Sequence, residues 1–206
     1  MKQTQINMTE GAITSKLIAF SVPLILSSVL QLLFNAADVI VVGRFAGDNS
    51  LAAVGSTSSL INLLVNLFQG LSIGTNVVAA NYFGAGKKRC LQQTVHTAML
   101  LSVFSGVLLT VLGVAGAKLL LRMMQAPEEV LNLAAKYLQI YFGGITATMI
   151  YNFGSALLRA KGDTKRPLYI LFAAGIINLL LNLLFVIAFR MDVAGVALAT
   201  VISQCF

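Results

Sequence analysis

Gln31-Leu32-Leu33-Phe34-Asn35-Ala36-Ala37-Asp38-Val39-Ile40-Val41-Val42-Gly43 sets three polar side chains in a segment otherwise apolar enough to cross a bilayer. Asp38 is the one acidic residue within the long apolar segments of the chain. On a helix Gln31, Asn35 and Asp38 fall at i, i+4 and i+7 and share a face, while Leu32, Leu33, Val39, Ile40 and Val41 spread over the others. That stripe points away from lipid. A carboxylate near the middle of a membrane helix costs roughly 2.5 to 3.5 kcal/mol on insertion scales, and such residues line cavities, proton relays or ion paths. The competing reading is a buried Asp bonded to a neighbouring helix as structural glue.

Composition agrees with the membrane reading. The 206 residues are 58% hydrophobic and only 10% charged, with a mean hydropathy of +0.88, whereas about a quarter of a soluble domain is charged. The net charge of +7 is scattered between apolar runs at loop positions, which matches a membrane protein and not a nucleic-acid binder. Cys90 and Cys205 have no metal-ligand spacing, and no disulfide is expected between them.

Working outward, residues 1–16 form a polar cytoplasmic lead-in with no signal-peptide cleavage site. Six apolar segments follow, at about 17–43, 51–83, 91–121, 130–158, 168–189 and 193–206, and the last is short enough to imply a chain cut within its final helix. The fold class is all-α: a polytopic bundle of six transmembrane helices. Pro23 leaves the carbonyl of Ala19 without its helical partner, so a kink or hinge is expected there. The second segment carries its own polar stripe, Asn62, Asn66, Gln69 and Asn76, beside a Gly70-xxx-Gly74 motif suited to close helix packing. His96 reads as a hydrogen-bonded structural residue. In the fourth segment Gly143-Gly144 and the pair Thr148 and Asn152 mark a face that need not meet lipid, and the fifth carries Asn178 and Asn182 one turn apart.

Lys2, Lys16, Lys87, Lys88, Arg89, Arg159, Lys161, Lys165 and Arg166 fall on one side of this topology, against Arg44, Lys118, Arg122, Lys136 and Arg190 on the other. The richer side, with the N-terminus, is expected in the cytoplasm of a multi-pass plasma (inner) membrane protein. The chain has no Walker loop, HExxH or GxSxG, and one His with one intramembrane Asp does not assemble a nucleophile and base, so no enzyme and no cofactor is expected. Three helices bearing amides and one carboxylate offer a cation, a proton or a polar solute its partners.

Thr9-Glu10-Gly11, Pro23 with Asp38 fifteen residues later, Val42-Gly43-Arg44 and above all Arg159-Ala160-Lys161-Gly162-Asp163-Thr164-Lys165 stand in an order and at helix spacings that resemble one family, the multidrug and toxic compound extrusion (MATE) transporters. The likeness is to their N-terminal six-helix lobe and covers nearly the whole chain. It implies one lobe of a twelve-helix, two-lobe antiporter that exports organic cations and drugs by alternating access, coupled to H+ or Na+. It further implies a bilayer setting and a C-terminal six-helix lobe as partner. By the same resemblance the ion or proton network would comprise Asp38, Asn152, Asn178, Asn182 and Thr200, with Asp38 the candidate Na+ ligand. Gln31, Phe34, Asn35, Asn66 and Gln69 would line the substrate cavity, and Pro23 would be the hinge. Several members of that family carry a second Asp where Asn182 stands, so their coupling stoichiometry does not transfer. Two other readings compete. A lipid-linked oligosaccharide flippase of the same broad superfamily would need cationic side chains in its cavity for a pyrophosphate, and a non-transporting scaffold would seal Asn35, Asp38, Asn178 and Asn182 away from solvent.

Overall fold

A computed structural model describes residues 13–205; the earlier part of the lead-in, with Lys2 and Thr9-Glu10-Gly11, and Phe206 lie outside the described residues. Seven α-helices and no strand are found among them: α1 (Ile13–Phe45), α2 (Asp48–Gly84), α3 (Lys88–Met123), α4 (Glu128–Gly143), α5 (Ile145–Ala160), α6 (Lys165–Leu183) and α7 (Asp192–Gln204). A π-helical turn, Leu184–Ala188, extends α6. The stretches Thr14–Phe45, Asp48–Gly84, Lys88–Met123 and Lys165–Ala188 are each long and apolar enough to cross a membrane alone.

The helices outrun the apolar segments that signal them, because backbone hydrogen bonding continues past the last lipid-facing residue. Helix α1 begins within the expected lead-in, and its link to α2 shrinks to Ala46 and Gly47, the latter at φ 83°. The fourth segment, expected as one helix over 130–158, is instead two 16-residue helices meeting at Gly144. The Val201 side chain occupies the space a Cβ at Gly144 would take, so α7 crosses directly over the break.

Packing is uneven along the membrane normal. Helices α4 and α5 form the spine, with α2 and α3 on one side and α7, backed by α6, on the other. The main core gathers at the end carrying the α1–α2, α3–α4 and α6–α7 links, around Val42, Leu109, Leu121, Leu138, Phe142, Ile145 and Val196, all at most 1% exposed. A second, smaller cluster of Ala79, Ala98, Phe153 and Leu157 holds α2, α3 and α5 together at the opposite end. There Asn76 Nδ2 also donates to the carbonyl of Ala156 at 2.6 Å, tying α2 to α5.

Close helix approach is achieved at isolated glycines and not at the expected motif. A Cβ at Gly113 would fall within Phe142, and one at Gly106 would meet the Thr146 backbone at 2.6 Å, whereas Gly70 and Gly74 have nothing within 4 Å. His96 is exposed and makes no hydrogen bond among the described residues, so its expected structural role is not found.

The basic loop between α5 and α6 is a built turn. Gly162, at φ 80°, donates its N–H to the carbonyl of Arg159, and Asp163 N–H reaches back to that of Leu158, which is the paired closure of a helix C-terminus by a left-handed residue. Asp163 is 1% exposed, accepts the Arg166 N–H at 3.1 Å and pairs with Arg166 Nε at 3.0 Å. The carboxylate thereby caps α6, an arrangement worth about 1 kcal/mol. Because the Arg166 side chain is 54% exposed, the ion pair itself adds little.

Candidate ion-coupling site

Four polar side chains from three helices form one line through the lobe. Thr200 Oγ1 on α7 donates to the carbonyl of Val196 one turn back at 3.0 Å and accepts from Asn178 Nδ2 at 3.3 Å. Asn178 Oδ1 accepts from Asn182 Nδ2 at 3.2 Å, the bond that their spacing of one helical turn on α6 makes available. Asn182 Nδ2 also donates to Asp38 Oδ1, a short contact that crosses from α6 to α1. Asn182 Nδ2 is thus shared between Asp38 and Asn178, while Asn178 Nδ2 donates away from the carboxylate, to Thr200. Asn182 and Asn178 are buried, Asp38 and Thr200 half-buried.

Asn182 Oδ1 is buried and has no partner. An acceptor left in that condition costs about 1 to 3 kcal/mol. A group that supplies positive charge or a proton beside Asp38 relieves that cost. The set of a carboxylate, two amide oxygens and a hydroxyl is an all-oxygen one, which suits a hard cation or a proton and offers nothing to a thiophilic metal. No group of three or more His, Cys, Asp or Glu that could hold a metal ion occurs among the described residues.

Helix α1 reaches α6 because Gly175 has no side chain. The Phe34 ring fills the position its Cβ would take, and Asp38 then lies one turn along α1 just as Asn182 lies two turns along α6. Phe34, expected to line the cavity, is therefore a half-buried packing residue at the α1–α6 contact. Gln31, Asn35 and Asn66 are exposed on the surface of the lobe and Gln69 is half-buried, with its backbone carbonyl accepting from Ser72 at 2.8 Å. Asn152 is half-buried on α5 and makes no hydrogen bond to the Asp38 line among the described residues. Pro23 is buried near the start of α1, and Ser27 Oγ donates to its carbonyl at 2.8 Å.

Two features were not singled out by sequence. Tyr137 and Tyr141 on α4 stack with centroids 6.2 Å apart and planes at 24°. Their i, i+4 spacing was the available signal, but a tyrosine pair at that spacing is as common in packed cores. The π turn is a second such feature, starting two residues after Asn182 where inserted turns in helices frequently accompany function.

A polar line bonded across three helices, with one carboxylate at its half-buried end, runs through one lobe of a polytopic, all-α membrane bundle. The family model MatE matches residues 23–184, and the chain belongs to that family. It is 32% identical over 198 residues to Probable multidrug resistance protein YpnP of Bacillus subtilis (strain 168), which spans 96% of this chain and 44% of that relative. An outward-facing multidrug resistance MATE family transporter of the MOP superfamily superposes with a TM-score of 0.90 at 28% identity, covering 99% of this chain and 45% of that one. An inward-facing MATE family transporter gives a TM-score of 0.79 at 30% identity over 84% of this chain and 39% of its own. The chain thus spans less than half the length of the relatives it matches and corresponds to their N-terminal lobe.

Proposed function

We propose that this chain is the N-terminal lobe of an antiporter that exports organic cations, drugs among them, in exchange for H+ or Na+. The observation that carries the reading is Asp38, half-buried at the end of a hydrogen-bonded line of polar side chains and bonded to Asn182, whose own oxygen has no partner. In this account Asp38 is ionised when its side of the lobe is open to water. An unpaired carboxylate is costly in a closing, low-dielectric cavity, so closure requires H+ or Na+ at Asp38 or a cationic substrate nearby. Na+ would be held by Asp38 with the oxygens of Asn178, Asn182 and Thr200, and Asn152 takes part only through the bound cation. Gln31 and Asn35 on α1 and Asn66 on α2, exposed from this lobe, become cavity walls once a second lobe faces them.

The scaffold reading needs Asn35 and Asp38 sealed with Asn178 and Asn182, and Asn35 is exposed while Asp38 is half-buried. The flippase reading needs cations in the cavity, and the line from Asp38 to Thr200 is built only of amides, a hydroxyl and a carboxylate. The N-terminus is placed in the cytoplasm on the charge asymmetry of the loops.

The direct test uses the full two-lobe protein in proteoliposomes loaded with a quaternary ammonium dye. An opposing gradient of H+ or of Na+ is expected to accelerate dye movement several-fold; equal rates with and without both gradients would remove the antiport reading. Pro23→Ala in the same assay is expected to slow turnover while changing dye affinity less than about twofold. Its basis is the unpartnered Ala19 carbonyl and the competing Ser27 bond, both of which ease bending at that point. An unchanged turnover rate would mean that α1 does not hinge there.

A further inference from the structure

We infer that the groove between the ends of α2 and α3 binds one anionic phospholipid, its headgroup at Lys87, Lys88 and Arg89 and one acyl chain along the helices. A cavity of about 370 Å³ opens there, beside the hairpin that joins the two helices. Its lining is mixed: Tyr82 and Gln93 lie toward the hairpin, and Val78, Ala98 and Leu101 lie deeper along the same two helices together with the short polar side chains Thr75 and Thr97. From Cys90 to Leu101, both in the lining, the groove runs about 16 Å along α3 at about 1.5 Å per residue. That is close to the depth of one leaflet of a hydrocarbon core about 30 Å thick. Spread over that length, the cavity has a cross-section of about 23 Å², which admits an extended hydrocarbon chain and not a helix about 10 Å across.

The glycine motif that no helix of the lobe uses finds its place here. Gly74 lines the groove, and a Cβ there would have nothing within 4 Å, so the missing side chain keeps the groove open. The smaller core cluster holds α2 and α3 together at this end only through Ala79 and Ala98 and their neighbours, which leaves the outer side of the contact unfilled.

Charge complementarity selects the headgroup. Lys87, Lys88 and Arg89 are all exposed, and none is ion-paired among the described residues. Asp163 is the one described carboxylate at that end of the bundle, and it is tied to Arg166. Cations near a membrane surface attract anionic lipid by about 1 kcal/mol each, but that attraction alone has no preference for a groove. The length and narrow cross-section of the groove, which fit one acyl chain, supply the preference.

The chain has no tryptophan, so Tyr82→Trp introduces a single fluorophore at the polar end of the groove. The full two-lobe protein carrying it, with any tryptophan outside these 206 residues replaced by phenylalanine, is reconstituted into phosphatidylcholine vesicles with a tenth of the lipid brominated on the acyl chain, as phosphatidylglycerol or as phosphatidylcholine. Quenching by brominated phosphatidylglycerol is expected to exceed that by brominated phosphatidylcholine at least twofold. Replacing Lys87, Lys88 and Arg89 together by Gln is expected to bring the two curves together. Gly74→Leu, which fills the groove and keeps the charges, is expected to remove at least half of the difference, with helicity by circular dichroism confirming that both variants fold. Equal quenching by the two lipids in the unaltered background would overturn the proposal. So would a lack of quenching by either, which would mean that a second protein surface covers the groove. A preference untouched by Gly74→Leu would equally overturn it, since loop charge alone would then account for the lipid.

Discussion

Asp38→Asn in the full two-lobe transporter is expected to abolish ion-driven efflux while expression and thermal stability stay close to normal. The structure explains both halves of that outcome. Asn182 Nδ2 donates to Asp38 Oδ1, and an amide oxygen at the same position accepts the same bond, so the contact between α1 and α6 survives. Stability should shift by no more than about 1 kcal/mol, as for a near-isosteric change that keeps its partner. The substituted side chain cannot alternate between a charged and a neutral state, which removes the only group within the Asp38 line that can exchange an ion for a substrate cation. Structural glue predicts the opposite, since an amide retains the hydrogen bonding and transport continues. Counter-gradient efflux by the variant at more than a small fraction of the wild-type rate would exclude the coupling role.

Gly175→Val should be as damaging by a different route. Its side chain would enter the space of the Phe34 ring, and either the ring swings into an unfavourable rotamer or α1 retreats from α6. Overpacking of this kind costs about 1 to 3 kcal/mol. The functional loss should exceed what that instability explains, because a displaced α1 carries Asp38 away from Asn182. Phe34→Ala in the same chain makes room for the added methyl groups. The double variant is therefore expected to recover most of the efflux lost in Gly175→Val, a coupling that a double-mutant cycle measures directly. Independent, additive losses would show that the Phe34–Gly175 contact does not set the geometry of the site.

Much of the molecule is visible in the pattern of apolar and polar residues. The long apolar runs announce the helices, and the one-turn spacing of Asn178 and Asn182 survives as a hydrogen bond. The family resemblance named Asp38, Asn152, Asn178, Asn182 and Thr200 as one network; four of them are hydrogen-bonded in line, and Asn152 makes no hydrogen bond to them among the described residues. Periodicity says which side chains share a face, but not which neighbouring helix that face will meet. Gly70 and Gly74 therefore looked like a packing motif, while the glycines that bring helices together are Gly106, Gly113, Gly144 and Gly175, each matched to a bulkier partner distant in sequence. The break at Gly144 and the π turn after Asn182 were hidden for another reason. Both are local departures of the backbone inside segments that remain apolar throughout, and hydropathy does not register them.

The central claim is that the charge state of Asp38 links ion and substrate. The measurement that addresses it most directly is the affinity of the full two-lobe protein for a quaternary ammonium dye, taken across a pH series with and without Na+, for wild type and Asp38→Asn. The account predicts that wild-type affinity changes with pH or with Na+, as the ion and the dye compete for one carboxylate. It predicts a flat profile for Asp38→Asn under every condition. A wild-type profile that is already flat, or a variant that keeps the wild-type dependence, would contradict it.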